Sequence, residues 1–423
     1  MIRCWSIGAT VLLGINLQGC GFLPRRDAVP PVLTQQAVTV VCPGTRVWPR
    51  LDLVPFFRDA IDSDDRERAA LLATGEAVRH LQPAYFLAIS GGADDGAFGA
   101  GLLVSWTASG NRPEFKVVTG ISAGALIAPF AYLGPRYDDV LRYVSMSIGA
   151  KDIFHIRNVL AAISSDAFAD DAPLVSMIAK YVTRDVLDAI SREYARGRVL
   201  LIGTTNLDSG EPVVWNMGAI ASSEDPRALD LFRKVVLASA SIPGVFPPVL
   251  IDVEADGKQY QEMHVDGGVL TQVFLFSPAF VQGLTTIEST NERERRVYVV
   301  RNGRIDPQWQ TVARRGTHVA RRALDRLVDA QGVNDLYRLQ VIARNENEDF
   351  NVAYIGKEFD YPHSRLFAND YLRQLFAYSY ELAAHGYPWH KTLPESSVWP
   401  YKQVRTPTHG SEDGVGARAG NPH

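Results

Sequence analysis

The sequence has no excess of charge of one sign, few cysteines and no internal repeat. Its 43 basic and 47 acidic residues give a net charge of −4. Such a chain has no overall field that attracts a polyanion, so no nucleic-acid partner is predicted. Three cysteines, all near the N-terminus, cannot form a disulfide framework.

Cofactor-binding motifs are also lacking. No group of His, Asp and Glu has the spacing of metal ligands, and no Gly-Lys-Ser/Thr sequence closes a phosphate loop. The glycines do not fall at the spacing of a dinucleotide fingerprint. We therefore predict neither a metal nor an organic cofactor.

One apolar stretch stands at the N-terminus. Residues 5–17 follow the basic Arg3, which is the layout of a secretory signal, and they are too few to cross a bilayer. The sequence LQGC at 17–20 resembles the lipobox of bacterial lipoproteins. This predicts removal of residues 1–19 and a stable lipid anchor on Cys20 in the cell envelope, with Gly21 favouring the outer membrane. The alternative is an ordinary signal peptide in which the cysteine occurs by chance.

The rest of the chain, of which 46% of all residues are hydrophobic, can build a large core. Residues 20–81 contain a Pro- and Arg-rich stretch and a charged helical pattern, which predict a tether and a leading helix. In residues 82–280, strand patterns alternate with helix patterns, so we predict an α/β domain with a mostly parallel central sheet. Residues 281–398 predict one strand and then mainly helices packed on that domain, and the polar residues 399–423 predict a disordered tail.

The motif GISAG at 120–124 is the first candidate for chemistry. Gly120 and Gly124 allow a strand to turn sharply into a helix with Ser122 at the apex, which is the geometry of a nucleophile elbow. The N–H of Ala123 is predicted to point the same way. A serine also needs a base and donors for the oxyanion, and without them the motif is only a structural turn.

A glycine-rich loop and an aspartate are candidates for these two roles. In SGGADDGAFGAG at 90–101, the N–H groups of Gly91 and Gly92 carry no side chains and are predicted oxyanion donors; the alternative is a turn without chemistry. In MHVDGGVL at 263–270, Asp266 ends an alternating stretch, and Gly267 and Gly268 allow a bend that exposes its carboxylate.

Histidines are the other candidates for the base. His264 shares a strand face with Asp266, and we interpret it as a packing neighbour. His363, His385 and His390 lie in an aromatic-rich stretch that predicts core packing. A Ser-His-Asp esterase that uses one of these late histidines remains the alternative.

The three motifs in this order resemble the patatin-like phospholipase family. The family's oxyanion loop corresponds to Gly91, Gly92 and Gly96, its elbow to Ser122, and its Asp-Gly-Gly element to Asp266. The resemblance extends over about residues 85–280. It implies a three-layer α/β domain and a Ser-Asp dyad, in which Ser122 attacks a lipid ester, phospholipids or lysophospholipids above all, and Asp266 acts as base.

One position departs from the family pattern. The loop usually carries a basic residue where this chain has Asp95, beside Asp94. A carboxylate aimed at the oxyanion would oppose catalysis. Either both acids point outward, or they are paired, with Arg112 and Lys116 among the available bases. An inactive lipid-binding lipoprotein is therefore a further alternative.

Residues 310–330 predict an amphipathic helix. Arg315, His318, Arg322 and Arg326 share one face, and Val312, Val319, Ala323 and Leu327 line another. We interpret the basic strip as a solvated face, with an anionic membrane as the alternative.

Overall fold

The computed structural model describes eight parts of the chain: residues 25–52, 54–75, 81–147, 149–153, 155–156, 166–275, 293–363 and 365–394. The predicted signal segment, Cys20 and the predicted tail lie outside the described residues. In the described part, no helix is both long and apolar enough to cross a membrane.

The strands, in chain order, are β1 (Val38–Thr39), β2 (Arg46–Val47), β3 (Ala84–Ile89), β4 (Val117–Gly120), β5 (His155–Ile156), β6 (Ala169–Asp170), β7 (Val199–Asn206), β8 (Glu211–Asn216), β9 (Val249–Ala255), β10 (Lys258–Asp266), β11 (Arg295–Arg301) and β12 (Asp349–Tyr354). The helices are α1 (Val54–Ala73), α2 (Gly96–Ala108), α3 (Ala123–Leu133), α4 (Asp138–Ser147), α5 (Ala150–Ile153), α6 (Ala172–Tyr181), α7 (Arg184–Ala195), α8 (Met217–Ala221), α9 (Ala228–Ala240), α10 (Gly316–Asn345) and α11 (Asn369–Ala384).

Most of the described strands belong to one sheet. Its order is β1-β9-β10-β7-β4-β3-β11-β12, and β8 and β2 continue from β7 by antiparallel pairing. The five strands from β7 to β12 run parallel, while β10, β9 and β1 extend the sheet with antiparallel pairs. The predicted α/β domain with its central parallel sheet is confirmed.

Side chains on the two faces of the sheet enter separate cores. In β3, Leu87 and Ile89 pack on one face with α2, α3, α9 and α11, whereas Phe86 and Ala88 pack on the other with α10. A parallel strand covered on both faces needs apolar side chains in both directions. This explains why β3 and β7 read as continuous apolar runs, and it gives the domain its three layers.

The strands after residue 280 are integral to this sheet. Strand β11 pairs with β3 in parallel, and β12 pairs with β11 in parallel. Helix α10 is the crossover between them, so its axis runs opposite to the strands. The carboxyl ends of β3, β4 and β11 therefore meet at one end of the sheet, where the candidate motifs lie.

Candidate active site

Ser122 lies at a tight turn between β4 and α3. It is a non-glycine residue with φ +56° and ψ −123°, and it is 7% exposed. A Cβ at Gly120 would lie 2.4 Å from the carbonyl oxygen of Gly124, and one at Gly124 would lie 2.3 Å from that of Ile89. Only glycine fits at either position. The glycines two residues before and two residues after Ser122 are thus a steric requirement of the turn.

A second serine supports this strained turn. The backbone N–H of Ser122 donates to Ser239 Oγ at 3.0 Å, and Ser239 Oγ donates to the carbonyl of Gly203 at 2.7 Å. Backbone strain of this kind costs about 1 to 3 kcal/mol and persists only where surrounding contacts fix it. Ser239, at the end of α9, provides one of those contacts.

Strand β7 aligns the end of β10, which carries Asp266, with the end of β4, which leads into Ser122. Strand β7 pairs with β4 on one side and with β10 on the other, where Asp266 faces Thr204. The side chain of Ser122 lies close enough to the Asp266 carboxyl group to lower its pKa, and the N–H of Gly268 donates to Asp266 Oδ1 at 2.7 Å. The structure thus places the two predicted catalytic side chains near each other.

Burial controls the acidity of this carboxyl group. Asp266 is 5% exposed, and loss of solvent raises its pKa to about 7 although the hydrogen bonds from Ser122 and Gly268 lower it. A pKa near the working pH suits a general base, because the group is both available and basic enough to accept a proton.

The glycine-rich loop after β3 lies beside Ser122 but departs in part from the prediction. The N–H of Gly91 donates to the carbonyl of Gln272 at 3.0 Å, so in this arrangement it is not free to bind an oxyanion. Among the described residues, the N–H groups of Gly92 and Ala123 have no such partner. Gly92 and Ala123 are therefore the candidate donors, and Gly91 would join them only if its bond to Gln272 opened.

Two polar residues that the sequence did not single out hold the loop. Asn302, which follows β11, donates from Nδ2 to the carbonyl of Ser90 at 2.9 Å and accepts from the N–H of Gly99 at 3.0 Å. Gln272 donates from Nε2 to the carbonyl of Gly268 at 2.8 Å. The available signal for Asn302 was its place directly after a buried strand, at the same sheet end as the elbow.

Gly92 provides a direct test of the loop geometry. It has φ +156°, and a Cβ there would lie 1.9 Å from the carbonyl oxygen of Asn302. We expect Gly92→Ala to lower ester hydrolysis by roughly 10²-fold or more, because the loop must shift away from Ser122. Steady-state kinetics measure the loss of activity, and thermal denaturation measures the change in stability.

Gly110 is the matched control for this substitution. It also has a positive φ, +74°, but no atom lies within 4 Å of a Cβ built on it. Gly110→Ala should cost about 1 kcal/mol from backbone strain and leave kcat unchanged. Equal kinetics in the two variants would contradict the proposed role of the loop.

Both members of the acidic pair have hydrogen-bond donors; Asp94 is buried and Asp95 is partly buried. Asp94, 3% exposed, accepts from His363 Nε2 at 2.8 Å and from the N–H of Phe367 at 2.7 Å. Asp95 accepts from Tyr371 Oη at 2.6 Å. Both carboxylates thus tie the segment before α11 and its first turn to the oxyanion loop.

The nearby bases considered from the sequence have other partners. Arg112 pairs with Asp138 at 2.9 Å, and Lys116 contacts Glu67. Burial, followed by the charge of Asp94, raises the pKa of Asp95 to about 6, while the buried Arg301 acts in the opposite direction.

The same cluster contains the described residues that could coordinate a cation. Asp94, Asp95 and His363 each offer a ligand atom, and these atoms lie within 4.8 Å of one another. Protein donors already bind both carboxylates. We therefore infer that these three residues stabilise the glycine-rich loop and do not form a cation site.

The His363–Asp94 pair predicts a pH-dependent stability. The hydrogen bond to Asp94 raises the pKa of His363, and partial burial, followed by the charge of Arg321, opposes this to a smaller extent. The pair is thus fully stabilising below the unfolded pKa of about 6.5 and is lost as the pH rises through the higher folded value. The side chain is 35% exposed, so solvent screening limits the effect to less than about 1 kcal/mol.

We expect His363→Gln to melt below the wild type at pH 6 and together with it at pH 9. Thermal denaturation at both values measures this, with His385→Gln, at an exposed site at the end of α11, as control. A difference that grows toward pH 9 would show that the ion pair is not its cause.

Other histidines have structural contacts. His264 lies 3.0 Å from Thr204 Oγ1 and 3.0 Å from Glu262, which also forms a buried ion pair with Arg46. His390 stacks on the ring of Tyr354. In the part of the chain that the structure describes, no hydrogen bond joins Ser122 to a histidine.

The fold and the elbow define a three-layer α/β domain with a serine turn at the carboxyl end of its sheet. Residues 87–278 match the family model described as patatin-like phospholipase, and this part of the chain is similar to that family. This match supports lipid ester hydrolysis as the general activity of the chain.

Three solved structures are similar to the chain. VipD from Legionella pneumophila is 14% identical with a TM-score of 0.29, over 71% of this chain and 67% of that chain. Human GIVD cytosolic phospholipase A2 is 12% identical with a TM-score of 0.28, over 71% and 50%. Full-length ExoU in complex with full-length SpcU, from the type III secretion system of Pseudomonas aeruginosa, is 16% identical with a TM-score of 0.25, over 61% and 53%. The match thus spans about half the length of the last two, and no curated protein matches the sequence.

Proposed function

We propose that the protein is a serine acyl hydrolase that cleaves the carboxylic esters of lipids, with phospholipids or lysophospholipids as favoured substrates. The observation that carries this proposal is the proximity of Ser122, at its strained turn, to the buried carboxyl group of Asp266, whose pKa it lowers. The pKa of about 7 for Asp266 gives a substantial ionised fraction at neutral pH.

In the proposed reaction, the Asp266 carboxylate takes the proton of Ser122 Oγ as that oxygen attacks the ester carbonyl carbon. The N–H groups of Gly92 and Ala123 stabilise the oxyanion. The leaving alcohol takes the proton from Asp266, and an acyl-enzyme remains on Ser122. A water molecule, deprotonated by the same carboxylate, then releases the fatty acid.

The described contacts favour this dyad over the two alternatives. The late histidines lie against Asp94 or Tyr354, or are exposed, which disfavours a Ser-His-Asp arrangement. The donors on Asp94 and Asp95 hold both carboxylates toward α11, which disfavours a site disabled by free acidic groups. We further propose a lipid anchor at Cys20 that holds the enzyme at the bacterial envelope.

Lipid profiling tests the proposal. Purified protein is incubated with phosphatidylethanolamine, phosphatidylglycerol, their lysophospholipids and triacylglycerol, and the released fatty acids are measured by mass spectrometry. A fluorophosphonate probe identifies the reactive serine in parallel. We expect fatty acid release and a label on the peptide that contains Ser122; absence of both would support an inactive lipid-binding protein.

A further inference from the structure

Helix α10 has a half that packs on the sheet and a half that does not. Its buried residues begin at Gly332, and all are in the C-terminal half. Every residue from 307 to 321 is exposed, and none from 322 to 331 is buried. We call residues 316–331 the projecting half of α10.

The projecting half extends from the end of the sheet that carries the candidate site. Since α10 connects the parallel strands β11 and β12, it runs opposite to them, and its first residues lie beyond their carboxyl ends. Asp335, just after this half, accepts from the N–H of Gln272 at 2.7 Å beside the oxyanion loop. At 1.5 Å per residue, the sixteen residues of the projecting half reach about 24 Å further.

One side of the projecting half is apolar and uncovered by the described residues. Val319, Leu324 and Leu327 are 53%, 62% and 67% exposed. At 100° per residue they share one face with Ala320 and Ala323. Trp309, in the segment that leads into the helix, is 90% exposed. Large apolar side chains exposed together mark an interaction surface.

The charge of this segment indicates the partner. From Trp309 to the end of the projecting half the sequence has five arginines and two acidic residues, Asp325 and Asp329, both of which follow Leu324; the arginines are Arg314, Arg315, Arg321, Arg322 and Arg326. An apolar face flanked by arginines is the pattern of a helix that lies in the interface of an anionic bilayer, with the apolar side chains at the acyl boundary and the cations among phosphates.

We propose that the segment from Trp309 through the projecting half of α10 docks on an anionic lipid surface. This replaces the interpretation of its basic strip as a merely solvated face. Because the projecting half emerges at the site's end of the sheet, docking brings Ser122 toward the bilayer. That consequence rests on the proposed lipid hydrolase function, whereas the docking itself does not.

An environment-sensitive fluorophore on the helix tests the docking. Leu324→Cys is labelled with a nitrobenzoxadiazole group in the full chain carrying Ser122→Ala, Cys4→Ser and Cys20→Ser, so that neither hydrolysis nor an acyl anchor contributes. Cys42 is buried and should not react. We expect vesicles of phosphatidylglycerol and phosphatidylcholine to raise the emission and shift it to the blue. The same label at Leu72→Cys, an exposed leucine of α1, should not respond.

The arginines determine the affinity in this proposal. Each is expected to contribute roughly fivefold, so Arg314→Gln with Arg321→Gln should weaken binding of the anionic vesicles by about 25-fold. Arg184→Gln with Arg192→Gln removes the same charge from exposed positions of α7 and should change nothing.

Four results would overturn the proposal. They are no response to anionic vesicles, an equal response to pure phosphatidylcholine, a blue-shifted emission that depends on protein concentration without vesicles, and a melting temperature lowered several degrees by Leu324→Gln. The third would identify a second copy of the chain as the occupant, and the fourth another segment of the same chain. Hydrolysis of a soluble short-chain ester, measured on the chain with Ser122 intact, tests the proposed function separately.

Discussion

Replacing Ser122 with alanine is expected to lower kcat for ester hydrolysis by at least about 10⁴-fold, because no acyl-enzyme can form without the hydroxyl. The residual rate would come from the oxyanion donors and substrate binding alone. Alanine keeps the strained backbone of the turn and the N–H that Ser239 binds, so the fold should persist. Labelling by a fluorophosphonate probe should disappear together with the activity.

Ser63→Ala is the matched control for this experiment. Ser63, in α1, is also buried, and its hydroxyl donates to the carbonyl of Gly197, just before β7, at 2.6 Å. Its loss should cost about 1 kcal/mol of stability and leave kcat unchanged. If Ser122→Ala kept more than a few per cent of the wild-type rate, another residue would be the nucleophile.

Local sequence predicted the parts of the site that depend on local sterics. Gly120 and Gly124 are required because the elbow brings backbones into contact, and the apolar run of β4 ends at the turn. Asp266 could likewise be located from the alternation of β10 and the two glycines after it. In both cases the chain within about five residues determines where the side chain points.

Long-range packing determines the rest of the site, and local sequence patterns do not predict it. The N–H of Gly91 is occupied by Gln272, which lies 181 residues further along the chain. The partners of Asp94 and Asp95 come from residues 363–371, because α11 packs on α2, whereas the closer bases Arg112 and Lys116 pair elsewhere. The family match ends at residue 278, yet Asn302 beyond it fixes the loop.

Replacing Asp266 with asparagine is expected to abolish hydrolysis and at the same time to stabilise the fold. Asparagine keeps an oxygen for the N–H of Gly268 but cannot take the proton of Ser122, so kcat should fall by roughly 10³-fold or more. In the wild type, kcat/KM should rise with pH about a midpoint near 7, where Asp266 ionises. A midpoint near 4 would contradict the assignment of this base.

The stability effect of Asp266→Asn follows from the direction of the same pKa shift. Because folding raises the pKa of Asp266 from 3.8 to about 7, its contribution is fully present only below pH 3.8 and is lost as the pH rises through 7. The wild type should therefore lose on the order of 4 kcal/mol between pH 4 and pH 8 from this group, and the asparagine variant should not. Urea denaturation at both pH values measures the difference, with Asp252→Asn, a half-exposed carboxylate paired with Arg26, as control. A variant that is inactive but no more stable than the wild type at pH 8 would show that the carboxylate is less desolvated in solution than its burial implies.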